Sequence, residues 1–156
     1  MLTEWLGAIE DLAFVGQIRS SVFVYAAING LHILGLSLLV GAVLTFDLRA
    51  SGLWKSGRWR DGLEVAIPVA GAGLGLAIAT GSLLFAVRGT HYASLTVFAA
   101  KMAILMLGMI NILVCHAFIR RCQTERPSGP VRICGALSAA IWLGALFTGR
   151  WIAFST

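Results

Sequence analysis

Residues 22–46 read VFVYAAINGLHILGLSLLVGAVLTF, a run without a single charged side chain. At ~1.5 Å per residue, a helix of this run outreaches the ~30 Å hydrocarbon core of a bilayer. Its polar residues are few and regularly placed. Tyr25, Asn29 and His32 stand four and three residues apart, so they share one helical face. That face continues through Gly35, Leu36, Leu39 and Val43 to Asp47. Polar side chains in lipid are costly, so this stripe is expected to face other helices. His32 is placed roughly ten residues below the outer end of the run, about 15 Å deep.

Three more apolar runs follow, at 65–87, 96–119 and 133–149. Each approaches or exceeds the ~20 residues needed to cross a membrane. Little sequence is left for anything else, so 1–156 is read as a single transmembrane domain. Charged residues make up 12% of the chain, against ~25% in an ordinary soluble domain. The net charge of +5 does not describe a nucleic-acid surface, because its cations gather in two connections. Arg49, Lys55, Arg58 and Arg60 lie in the first, and Arg120, Arg121, Arg126 and Arg132 in the third. The lipid bilayer is the expected partner, and nucleic acid is not. Cations mark the cytoplasmic side. Loops 47–64 and 120–132 are therefore expected in the cytoplasm and both termini outside. Trp54 and Trp59 are expected at the headgroups.

Short connections make neighbouring spans antiparallel. The expected fold is an all-α, up-down-up-down four-helix bundle. Ahead of it, Leu2, Trp5, Leu6, Ile9, Leu12 and Ala13 recur at helical spacing beside Glu4, Glu10 and Asp11. Residues 2–18 are expected as a short amphipathic helix lying on the outer surface.

The second span carries Gly71, Gly75 and Ala79 as a small-residue stripe, which lets helices approach closely in lipid. Small residues also make room for a flat cofactor. The third span contains Lys101, Asn111 and His116. Lys101, some five residues below the outer end, either snorkels outward or reaches toward His32 or an anionic group. His116 is about 15 Å from His32 in depth, too far for both to ligate one haem. Met102, Met106 and Met109 run along the same helix toward Cys115, His116 and Cys122. Thioether, thiolate and imidazole suit Cu(I), so these residues define a candidate copper path. Cys134 also falls near the cytoplasmic face, where a reducing environment argues against disulfides. The last span ends in Arg150-Trp151, an interfacial anchor or a partner for an anionic group such as a haem propionate. No GxSxG, HExxH or phosphate-binding glycine loop is present.

The segments LHILGLSLLVGAVLTFDLR and FAAKMAILMLGMINILVCH resemble those of small bacterial membrane proteins of the CopD/HemJ-like group, which includes copper-resistance proteins and protoporphyrinogen oxidases. The ending GRWIAF resembles an uncharacterised family within it. The resemblance touches His32, Arg49, Lys101, Asn111 and His116. It implies a bacterial inner-membrane location and a redox cofactor. The leading expectation is a haem-b-binding electron-transfer protein. His32 is the iron ligand, Tyr25 and Asn29 lie nearby, and Lys101 and Arg150 face the propionates. A quinone or a redox protein is the expected electron partner. Two alternatives remain: a copper transport or delivery protein using Met102, Met106, Met109, Cys115 and His116, and a cofactor-free subunit or assembly factor. In the last, Gly71, Gly75 and Ala79 meet a partner span or a second copy of the chain.

Overall fold

The computed structural model describes residues 2–54, 58–122, 124 and 126–152. Lys55 and the end of the GRWIAF motif lie outside them. The described residues form helices and turns with no strand: α1 (Leu2–Glu10), α2 (Ala13–Ser20), α3 (Val22–Ala50), a 3-10 turn (Trp59–Gly62), α4 (Leu63–Val87), α5 (Gly89–Ser94), α6 (Thr96–Arg121) and α7 (Gly129–Ile152). Helices α3, α4, α6 and α7 are long and apolar enough to cross a membrane. The chain is an all-α, multi-pass membrane bundle.

Helix boundaries differ from the expected spans for local reasons. Helix α3 runs on through Asp47 and Arg49 to Ala50, so Asp47 lies inside the helix rather than opening a loop. It ends where Gly52 takes φ 83°, a left-handed conformation that favours glycine. The Arg132 guanidinium donates from Nε to Ser51 O at 3.0 Å and covers that end. Helix α7 starts at Gly129, earlier than expected, because Pro130 fits a first helical turn where its missing N–H costs nothing. The single N-terminal helix expected over 2–18 is two helices. Leu12 adopts an extended backbone (φ −62°, ψ 135°) between them. Ser21 then separates α2 from α3 and caps α3, its Oγ accepting from Val24 N at 3.3 Å.

Pairings across the bundle fix its direction. Gly35 meets Gly73 and Ala77, and His32 meets Ala77 and Gly81, so α3 and α4 are antiparallel. Gly135 packs on Ala50 and Asp47, which sets α7 against α3. Gly108 packs on Trp142, and Lys101 on Gly149, which sets α6 antiparallel to α7. The order across the bundle is α4–α3–α7–α6. Among the described residues α4 and α6 have no Cα atoms within 8 Å. They approach at one end through Phe85 and Phe98, whose rings stack with centroids 5.3 Å apart. The fourth side of the bundle is therefore its widest.

Small residues close the α3–α4 seam, but not those of the expected stripe. A Cβ on Gly73 would lie 2.5 Å from Leu39 N, and one on Gly35 would lie 2.7 Å from Ala77 N. Backbones touch there, as small residues permit in lipid. Gly71 and Gly75 have nothing within 4 Å of such a Cβ, and Ala79 is exposed. The seam uses Gly73 and Ala77, a turn face away from the GxxxG pair.

At the arginine-rich end, Trp59 is buried with Ala50, Ile119, Cys122 and Val131. It is drawn in because its indole N–H reaches Thr124 O at 3.4 Å and its ring carries the Arg60 guanidinium at 4.9 Å. Arg60 in turn donates to Ile119 O at 2.9 Å. Cations on the carbonyl ends of α3 and α6 meet the negative pole of each helix dipole. At the opposite end, α1 and α2 fold back onto the bundle. Glu10 accepts from Thr90 N and from Thr90 Oγ1, both at 2.7 Å, tying α1 to α5.

Candidate functional site

The close α3–α4 seam brings His32 against α4. Its Nδ1 lies 3.0 Å from Ala77 O and 3.1 Å from Thr80 Oγ1. Thr80 spends its single hydroxyl proton on Leu76 O at 2.6 Å. Thr80 Oγ1 and Ala77 O are thus both acceptors toward the ring, and both require a proton on Nδ1. The neutral ring then carries its lone pair on Nε2. A backbone carbonyl holding Nδ1–H is the usual support of an imidazole that binds metal through Nε2. Gly81 provides the space, since a Cβ there would lie 2.9 Å from His32 Cε1.

Lys101 of α6 is half-buried and lies across Gly149 of α7, whose missing Cβ would stand 3.4 Å from Nζ. Its charge acts on the His32 ring, so the two share one end of the bundle. Arg150, next to Gly149, is exposed at the same end. His32, Lys101 and Arg150 stand at the same end of the bundle. The rest of the polar stripe is not gathered there. Tyr25 hydrogen-bonds Tyr92 of α5. Burial, with Tyr25 beside it, pushes the Tyr92 phenol up from its ordinary value. Asn29 is exposed, contrary to expectation. It shares the α7-facing side of α3 with Val40 and Asp47, but Val40 already meets Trp142.

Met102, Met106 and Met109 are all exposed along α6. Cys115 and Cys134 are neighbours, while Cys122 pairs with Thr124, Sγ to Oγ1 3.3 Å. Among the described residues no three His, Cys, Asp or Glu side chains converge on a metal position. His91 lies in α5 with its ring against Tyr92.

A second centre occupies the other half of the bundle. In the gap between α4 and α6 is a cavity of about 240 Å³ with apolar walls. Asp47, Ser138 and His116 line it from three helices. Asp47 is 4% exposed and lies beside Ser138, while its Oδ2 is buried with no partner.

Gly81, and the roles of Thr80 beside His32 and of Ser138 and Asp47 at the cavity, were not legible in the sequence pattern. Thr80 and Ser138 look like ordinary small residues of a membrane helix. Asp47, a carboxylate continuous with an apolar run, carried the one available signal. Comparison with protein-family models, with curated proteins and with solved structures finds no match for this chain.

Proposed function

We propose that the chain is a small bacterial inner-membrane protein that binds haem b for electron transfer, with His32 as the axial ligand through Nε2. The observation that carries this reading is the fixed ring of His32. Its Nδ1 proton is committed to Ala77 O and Thr80 Oγ1, and Gly81 makes room for the ring against α4. Lys101 lies within electrostatic reach of that ring, and Arg150 stands beside the glycine on which Lys101 rests. Two cations at this end suit the two carboxylates of a porphyrin. The bound iron would supply one-electron chemistry. The chain supplies an oriented ligand, counter-charge and a site away from water.

His116 lines the cavity in the other half of the bundle, so it does not share the iron with His32. The arginine-rich end is assigned to the cytoplasm by its cations, which puts His32 in the outer half and both termini outside. This reading agrees with the resemblance to the CopD/HemJ-like group. A cofactor-free reading has its own support, because the exposed Gly71, Gly75 and Ala79 are available to a second copy or a partner span.

The test is a dithionite-reduced minus air-oxidised spectrum of protein purified after haem-replete expression. A b-type difference spectrum is expected, and it should vanish in His32→Ala. Protein without a Soret band overturns the proposal.

A further inference from the structure

We propose that the cavity between α4 and α6 binds the ring of a membrane quinone, with Asp47 and His116 as its polar partners. Four features of the cavity lead there.

Its size comes first. About 240 Å³ lies below the ~300–1,000 Å³ of pockets for drug-sized molecules and suits one or two rings. Its access comes second. Helices α4 and α6 stay apart along the bundle, and Gly71 and Ile67 on the cavity wall are exposed. The cavity therefore opens sideways into the bilayer, so an isoprenoid tail remains in lipid while the ring enters.

The third feature is Asp47. It lies beside Ser138 on the cavity wall, and its Oδ2 is buried without a hydrogen-bond partner. A buried carboxyl oxygen in that position lacks a hydrogen bond whatever its protonation state. A quinone carbonyl accepts from a carboxylic acid, and a quinol hydroxyl donates to a carboxylate. A ring in the cavity therefore suits the carboxyl of Asp47, which lines the wall, in either state. His116 lines the cavity from α6, a different wall, as a second polar group for the second ring oxygen.

The fourth feature is the surrounding charge. Arg49, Arg60 and Arg132 sit at this end, on the Trp54 ring, Ile119 O and Ser51 O. Their field opposes a cationic ligand, and the apolar walls oppose a hydrated ion. A neutral ring with polar oxygens remains.

Quinone binding stands on this cavity alone. That the quinone exchanges electrons with a haem at His32 rests on the reading above. The experiment is a calorimetric titration of the full-length protein in detergent with decylubiquinone and with 2-methyl-1,4-naphthoquinone. Saturable binding of at least one is expected. Gly71→Leu should weaken it at least ten-fold, because the new side chain grows into open space at the cavity wall. Asp47→Leu should weaken it about ten-fold, and His116→Phe several-fold. Should Asp47→Leu fail to fold, Gly71→Leu carries the test, because no backbone opposes it. Failure of the wild type to bind either quinone, or unchanged binding by Gly71→Leu, overturns the proposal. So does Asp47-dependent binding of tetraphenylphosphonium in place of the quinones. The same titration on His32→Ala separates the two readings. Quinone binding by a wild-type protein with no haem spectrum sinks the haem reading alone. A His32-dependent spectrum without quinone binding sinks this proposal alone.

Discussion

Substituting Gly73 by alanine tests the seam on which the His32 site depends. The added Cβ would lie 2.5 Å from Leu39 N and 2.7 Å from Gly35 O, both backbone atoms that cannot rotate away. Ordinary contact needs ~3.5 Å, so α3 and α4 must part by about 1 Å. The 3.0 Å bond from His32 Nδ1 to Ala77 O then stretches beyond hydrogen-bonding range. Overpacking of this kind costs ~1–3 kcal/mol, and the lost hydrogen bond adds ~1 kcal/mol. The sum, about 2–4 kcal/mol, should lower the unfolding midpoint by roughly 5–10 °C for a chain of this length. The control is Gly75→Ala, two residues on, where the new Cβ meets nothing within 4 Å. It removes a helix glycine, worth up to ~1 kcal/mol in soluble helices, and should not destabilise. Thermal unfolding of both variants in the same detergent compares them, and haem retention is read on the same samples. If Gly73→Ala unfolds with the wild type, or if Gly75→Ala loses as much, the seam does not run where this reasoning places it.

Thr80→Val removes an acceptor for His32 Nδ1–H while keeping the side-chain shape, and should lower haem affinity roughly 10–100-fold with little change in fold, as read by haem titration. Gly81→Ala pushes a methyl to 2.9 Å from His32 Cε1, so the haem difference spectrum should be lost while the far-UV helical signal is kept. Glu10 is held below its ordinary value, chiefly by the backbone N–H of Thr90 and then by its hydroxyl. A depressed carboxyl stabilises above its unfolded value of 4.5 and loses that contribution as pH falls through the folded value. The protection of α1 amides, taken relative to the intrinsic exchange rate at each pH, should therefore be full at neutral pH and fall on acidification, and Glu10→Gln should remove most of that dependence. An N-terminal tag should be cleaved by protease added to intact spheroplasts, and protection would invert the assigned orientation.

The four apolar runs and the placement of the cations were enough to determine a membrane bundle with antiparallel neighbours. Hydrophobicity over some twenty residues is a property of the chain alone, and the bilayer converts it into spans without regard to partners. His32 and Lys101 were legible for the same reason, since a polar group within an apolar run stands out. What the runs could not show is which face of each helix meets which. In lipid, apolar side chains gain little by choosing protein over acyl chains, so the choice falls to backbone approach and hydrogen bonds. Gly71 and Gly75 form the conspicuous motif, yet the register of α3 on α4 uses Gly73 with Gly35. That register, visible only in the assembled bundle, places Ala77, Thr80 and Gly81 around His32. The separation of α4 from α6 is likewise a property of packing. It turns Asp47, at the inner end of an apolar run, into the wall of a cavity shared with Ser138 and His116.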